Sequence, residues 1–349
     1  MKKTDIYTLL RYFSHLGGSR MKLAALWALH STHRRYIGVF VDTVLTCNYR
    51  CRMCYFSNEE ERRQRRGTKL TEEQLNHIAH SLFSRAVKLQ IGCGAEPTMD
   101  LKGALRLVQL GKQYGVPYIA LTSNGALLTY DKLHELVEAG LDELTVSLHG
   151  VRRETYENMM GPTADYDAFL ALLQSIKRIK TQYPQFDIRV NYTMNADNVD
   201  ELADFDQLFA GIPINQLQLR PVRQIGESDY RNFDLTHVSE CLETVIRPLA
   251  ERCRRRGITV LFPEQNHIER FEKPEKPDPR ANLIPLFTYF NITPKSYAHQ
   301  DIHLDTETYE DYSRRTHIAR RLFRGVWASQ KACAQEEQSF ANSLNYDIR

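Results

Sequence analysis

The 349-residue chain is 42% hydrophobic and 26% charged, the make-up of an ordinary globular protein of one large domain with appendages or of two domains. No apolar run approaches the roughly 18 residues of a membrane helix, so a spanning helix is excluded. Its 46 basic and 43 acidic residues leave a net charge of +3, too balanced for composition to mark a nucleic-acid binder.

In chain order, Lys2 and Lys3 lead into polar residues and not an apolar core, so the start does not read as an export signal and a reducing cytoplasm is expected. Residues 1–36 are predicted as an N-terminal helical segment of two short amphipathic helices split at Gly17-Gly18. Leu9, Leu10, Phe13 and Leu16 face one way on the first, and Leu23, Leu26, Trp27 and Leu29 on the second. Arg20, Lys22, His30, His33, Arg34 and Arg35 give the second a basic face. It reads as a packing helix, with a membrane-surface or partner-docking helix as the alternative.

Ile37 to Thr46 is a β-branched strand signal, and strand-like and helix-like segments alternate from there to about residue 262. Thr71-x-x-Gln74 predicts a capping box. Strands are predicted at 87–92, 117–123, 142–147, 186–195 and 214–220. Helices are predicted near 101–114, 129–139, 165–180, 198–209 and 236–256, with Gly115 and Gly140 at helix C-caps. Six βα units in series imply a parallel sheet covered by helices. In the fifth strand Ile188, Val190, Tyr192 and Met194 alternate with Arg189, Asn191, Thr193 and Asn195; in the sixth Leu217 and Leu219 alternate with Gln216, Gln218 and Arg220. Helices cover the apolar face, so the polar face points into a lumen of a curved, partial (β/α)6 barrel, a solvent-facing edge strand being the alternative.

After Pro263 the alternation fails. Pro274, Pro277, Pro279 and Pro285 sit among charges and read as a linker or an irregular wrap across the barrel mouth, and 306–337 reads as helical and basic. The expected division is thus 1–36, a barrel at 37–262, and a C-terminal helical and irregular extension at 263–349 that covers the barrel or contacts substrate.

Of seven cysteines, too few and too odd in number for a disulfide scaffold, Cys47, Cys51 and Cys54 fall together directly after the first strand. Three thiolates on one loop can hold three corners of an iron–sulfur cube and leave the fourth iron open. Zinc is the competitor, but structural zinc sites usually take four ligands, and no second CxxC pair completes one here. Cys93, Cys241, Cys253 and Cys333 read as free buried thiols.

At these residues the sequence resembles the radical S-adenosylmethionine (SAM) enzymes. Cys47, Cys51 and Cys54 match the family's cluster loop, and Met53 takes the hydrophobic position that packs near the adenine. Gly92-Cys93-Gly94-Ala95-Glu96-Pro97 looks like the GGEP segment that meets the SAM amino group, departing from it at Ala95. Thr122-Ser123-Asn124-Gly125 is similar to the TNG turn, and Ser147-Leu148-His149-Gly150 to the SLHG segment near the ribose. Asn191, Thr193 and Arg220-Pro221 lie where such enzymes place polar lumen residues.

The resemblance implies a [4Fe-4S] cluster on the three cysteines and SAM held by Met53, Gly94, Ala95, Glu96, Pro97, Asn124, Ser147, His149, Asn191 and Arg220. It also implies an electron donor such as flavodoxin or ferredoxin. Reductive cleavage of SAM would yield a 5′-deoxyadenosyl radical that abstracts hydrogen from, or adds to, a peptide or medium-sized metabolite. Glu96 reads equally as an acid–base group or a turn former, and His149 as a ribose contact or a locally satisfied imidazole. Tyr55 and Phe56 are expected to shield the cluster, Arg62 to Arg66 to lie in a solvated loop, and Gly161-Pro162 to close a loop that connects or reaches substrate.

The core resembles the molybdenum-cofactor and peptide-maturase branch without its cysteine-rich tail, since only Cys333 follows residue 262, and 36 residues before the first strand leave no room for a cobalamin domain. The alternatives are a non-catalytic iron–sulfur or zinc binding or sensing protein and, third, an RNA-modifying enzyme using the basic N-terminal and 314–324 patches, although nucleic acid is not the expected partner. Arg189, Arg220 and Arg223 suit carboxylate, phosphate or peptide alike.

Overall fold

The computed structural model describes residues 17–224, 226–262 and 278–339. The first predicted N-terminal helix and most of the proline-rich stretch lie outside them.

Eight strands, β1 (Ile37–Val41), β2 (Ala86–Ile91), β3 (Tyr118–Ser123), β4 (Glu143–Leu148), β5 (Asp187–Met194), β6 (Gln216–Pro221), β7 (Thr259–Leu261) and β8 (Tyr289–Ile292), form one sheet. The order is β7-β6-β5-β4-β3-β2-β1-β8, every pair is parallel, and the sheet stays open between β7 and β8. This is the partial-barrel α/β architecture expected, with two more strands than the six units read from the sequence. β7 is three residues long after Gly257, too short to show a period. β8 follows the helix Pro279–Thr288, which corrects the irregular reading of its stretch. Pro279 opens that helix, the Asp278 side chain caps it, and burial of Leu283, Leu286 and Phe287 outweighs the hydrogen bond that Pro285 removes.

Alternation sorts the strands into two faces. Leu89, Ile91, Ile119, Leu121, Leu144, Val146, Ile188 and Val190 are buried against the helices. Each such side chain contributes about 1.5–3 kcal/mol by leaving water. The helix Tyr166–Gln182 supplies Phe169, Leu172, Leu173, Ile176 and Ile179 to the same core. On the other face lie Lys88, Gln90, Thr122, Thr145, Ser147, Asn191, Thr193, Gln218 and Arg220, the polar lumen.

The charge run after the cysteines is a helix, Glu59–Arg65, and not a solvated loop. Asn58 caps it by accepting from the Glu60 and Glu61 N–H groups at 2.9 and 3.1 Å. Its acids precede its bases, so Glu59–Arg62, Glu60–Arg63 and Glu61–Arg65 pair along one surface and suit the helix dipole. The helix Arg153–Met160 had no clear sequence signal, whereas 198–209 shortens to a 3₁₀ turn, Asp200–Asp204, and one turn at Phe205–Leu208. The predicted 236–256 helix is Thr236–Cys241 and Arg247–Arg255 joined by a π turn. The N-terminal helix Gly18–Ser31 buries Leu23 and Leu26 and sets Trp27 at a tilt against Phe323 of the helix Ile318–Trp327, with ring centroids 5.5 Å apart, as a packing helix does. No helix among the described residues is long and apolar enough to cross a membrane.

Candidate active site

The loops leaving β1, β2 and β3 are stitched together around the three thiols. Asp42, at the end of β1, turns its carboxylate onto the loop after β2, accepting from Cys93 N–H at 2.8 Å and Gly94 N–H at 3.0 Å. Burial pushes its pKa up to about 6 against these stabilising donors. The Thr46 carbonyl accepts from Glu96 N–H at 3.0 Å, and the Tyr55 hydroxyl donates to the Gly94 carbonyl. Gly92, at φ +77°, has no room for a side chain: a Cβ would stand 2.6 Å from the Thr122 carbonyl.

Glu96 is 3% exposed and its carboxylate is fully engaged. Oε1 accepts from Thr98 N–H at 3.0 Å, from the Thr98 hydroxyl and from the Ser123 hydroxyl at 2.7 Å, and Oε2 from Asn124 N–H at 2.8 Å. Burial raises its pKa and these donors oppose the rise. Of the two sequence readings, this geometry favours a carboxylate that fixes two loops. Asn124, placed by it, donates to Asn48 Oδ1 at 2.9 Å and lies 3.8 Å from Cys47 Sγ.

The cysteine loop is braced on its other side by the helix Arg153–Met160. Arg52 N–H donates to the Met159 carbonyl at 3.0 Å, and Met160 Sδ lies 3.8 Å from Cys51 Sγ. Gly161, at φ +93°, lets the backbone touch the loop, for a Cβ there would meet the Arg50 carbonyl at 2.2 Å. Tyr55 and Phe56 are buried beneath the loop. Met53 is buried too, its sulfur accepting from Asn195 Nδ2 at 3.4 Å.

All three thiols are partly buried and free of disulfides. Burial pushes Cys47 up to about 12, with Glu96 adding to the rise, pushes Cys54 up to about 11, and raises Cys51 as well, where Cys47 and Cys54 contribute. Uncharged company would leave them protonated at neutral pH, and a bound metal cation would draw the protons off. Three free thiols on one loop are a donor set that suits three corners of an iron–sulfur cluster.

Ser147, on β4, and Asn191, on β5, pair in register and are half-buried at the lumen, as Thr193 and Arg220 pair one layer higher. His149 Nδ1 and Asn191 Oδ1 are shut from solvent without a hydrogen-bond partner, which suits a polar guest beside the thiols. The lumen floor is internally matched: Glu143 accepts from Tyr118 Oη at 2.6 Å, Thr145 Oγ1 at 3.0 Å and Arg189 Nη2 at 3.1 Å. Arg220, exposed at the mouth, donates to the neutral amide of Gln218 at 2.9 Å. Cys241, Cys253 and Cys333 are buried as expected; Cys93 is exposed, on the loop whose N–H groups Asp42 holds.

Burial lowers the His149 pKa from 6.5 to about 4, so the imidazole is neutral at pH 7. A folded-state pKa below the unfolded one contributes stability that is present above 6.5 and lost as pH falls towards 4, about 3 kcal/mol at full extent. His149→Asn is expected to flatten the fall in urea-unfolding free energy across that window. His30, lowered to about 4 in the same way, keeps part of the slope. A slope unchanged by the substitution would contradict a buried neutral His149.

Residues 42–215, about half of the chain, match the family described as the radical SAM superfamily. The probable GTP 3′,8-cyclase of Saccharolobus solfataricus is 28% identical over 205 residues, 57% of this chain and 62% of that protein. The probable GTP 3′,8-cyclase of Thermococcus kodakarensis is 29% identical over 233 residues, 65% and 72% of the two chains. The chain therefore spans less than two thirds of the length of the Saccharolobus relatives. Streptococcus suis SuiB bound to S-adenosylmethionine shares the fold at a TM-score of 0.56 and 14% identity, over 76% of this chain and 61% of that one. The anSMEcpe protein with bound AdoMet does so at 0.51 and 15%, over 64% and 63%. The family match and the cyclase relatives place the chain in the radical SAM superfamily, whose enzymes work with a [4Fe-4S] cluster and S-adenosylmethionine.

Proposed function

We propose that Cys47, Cys51 and Cys54 hold the cluster and that Met53, the Gly94–Pro97 segment, Asn124, Ser147, His149, Asn191 and Arg220 line the SAM and substrate space. The carrying observation is the convergence of three free thiols with the Asp42-bound loop and Asn124 at the mouth of a polar lumen. When bound, the cofactor pair supplies one-electron cleavage of the sulfonium and a 5′-deoxyadenosyl radical. The chain's own part is positional. Asp42 and Glu96 consume the loop donors that would otherwise need water, Asn124 polarises the neighbourhood of Cys47, and Tyr55, Phe56 and Met53 seal the underside of the loop. A flavodoxin or ferredoxin in a reducing cytoplasm is the reductant this reading calls for.

The substrate proposed is an anionic metabolite or acidic peptide. Arg189 is spent on Glu143 at the floor, whereas Arg220 at the mouth holds only a neutral amide and offers its fork to a carboxylate or phosphate. The names of the cyclase relatives make GTP the first phosphate-bearing probe. In cluster-loaded protein, GTP or an acidic peptide is expected to stimulate 5′-deoxyadenosine release. Arg220→Ala should weaken that stimulation about 10- to 100-fold in half-saturating concentration, the worth of a charged hydrogen bond. Stimulation by neutral compounds alone, or an Arg220→Ala curve that overlays the parent, would refute an anionic substrate.

A further inference from the structure

A second constellation lies beside the barrel mouth, outside the cysteine loop. Asp200 opens the turn after β5, and His237 and Cys241 stand four residues apart on one face of the helix Thr236–Cys241. Asp200 Oδ2 lies 2.8 Å from His237 Nε2, Cys241 Sγ lies 3.4 Å from Asp200 Oδ1, and Cys241 Sγ lies 3.8 Å from His237 Nε2. All three ligand atoms fall within 4.8 Å of one another. Zinc bonds of about 2.0–2.2 Å to N and O and about 2.3 Å to S give tetrahedral edges of about 3.3–3.6 Å, so the observed triangle needs only small side-chain shifts to close on an ion.

Two details separate a metal site from its competitors. A nucleophilic Cys–His–Asp triad would place thiol and carboxylate on opposite ring nitrogens, but here both meet Nε2. The other nitrogen, Nδ1, faces Glu240 Oε2 at 3.4 Å, the carboxylate partner that commonly orients a metal-binding imidazole. Cys241 is 5% exposed, while Asp200 and His237 open to solvent and leave an entry path and a place for water. Mixed carboxylate, imidazole and thiolate ligands suit a borderline divalent transition metal.

We propose that Asp200, His237 and Cys241 bind one zinc-class divalent ion, with water as fourth ligand and Glu240 positioning His237. The ion bolts two segments that both serve the cysteine loop. The β5 loop carries Asn195, which meets Met53, and the segment before His237 lies on the loop itself, with Asp229 N–H donating to Ser57 Oγ at 2.9 Å and Tyr230 N–H to the Arg52 carbonyl at 2.9 Å.

The test is cobalt titration of the full chain carrying Cys47→Ala, Cys51→Ala and Cys54→Ala, repeated on cluster-loaded parent protein. About one cobalt per chain, with a thiolate-to-cobalt charge-transfer band, is expected in both, and zinc should displace it. Cys241→Ser should abolish the band and weaken binding by at least about 100-fold, and Glu240→Gln should weaken it about 10-fold with the band retained. Glu240→Gln removes no ligand and serves as the reading should Cys241→Ser fail to fold. No stoichiometric cobalt, or cobalt binding indifferent to both substitutions, would overturn the site, leaving an ion pair with a neighbouring thiol. Neither result depends on SAM chemistry, so this proposal and the cluster assignment fail separately.

Discussion

Replacing Cys47, Cys51 and Cys54 together with alanine is expected to take bound iron from about four per chain to none and to abolish 5′-deoxyadenosine formation. The loss reaches background, about a million-fold or more, because no side chain of the lumen substitutes for one-electron chemistry. The fold should survive. The loop is anchored through the Thr46 carbonyl and the Arg52 N–H, neither of which uses a thiol. Iron content, far-UV circular dichroism and product assay read the three consequences separately. Iron retained in the triple variant would place the cluster elsewhere, and Cys333→Ala, far along the chain, should leave iron and cleavage unchanged.

The second large effect is Glu96→Ala, expected to cost about 3–5 kcal/mol and lower the thermal midpoint by about 5–10 °C. Its carboxylate accepts four donors from Thr98, Ser123 and Asn124 in a buried place, and deletion leaves them unpaired. Because Asn124 N–H is one of them, the loop beside Cys47 loosens as well, and the variant should lose its iron faster under chelator. Glu96→Gln keeps one acceptor oxygen but turns an NH₂ group on a former donor, for about 1–2 kcal/mol. The pair of substitutions also separates the two roles of Glu96. A group that moves protons in turnover would show Glu96→Gln losing rate at full stability, whereas a fixing carboxylate shows rate following stability. Full stability and iron in Glu96→Ala would contradict the fixing role.

The legible part of the molecule was the part encoded locally. Strict alternation in Ile188 to Asn195 exposes both faces of a strand to inspection, and the spacing of three cysteines on one loop needs no tertiary knowledge. Strands β7 and β8 carried too few residues for a period, and Pro285 masked the helix that leads into β8. The helix Glu59–Arg65 escaped because it is held by a cap and by charge pairs and has no apolar stripe. Cys93 was misjudged as buried, since its place on a loop held by Asp42, 51 residues away, is a tertiary fact. The Asp200, His237 and Cys241 cluster was equally silent, its carboxylate and imidazole lying 37 residues apart. The lumen charges were visible residue by residue, yet the pairing that commits Arg189 to Glu143 and leaves Arg220 at the mouth is a tertiary fact.

The central claim, an open-cornered cluster that works on SAM, is tested most directly by anaerobic reconstitution followed by reduction in the presence of SAM. The account predicts about four irons per chain and 5′-deoxyadenosine and methionine formed only with reductant, in the parent and not in the Cys47, Cys51 and Cys54 variant. Intact SAM over a fully loaded, reduced chain, or zinc in place of iron on those thiols, would contradict it.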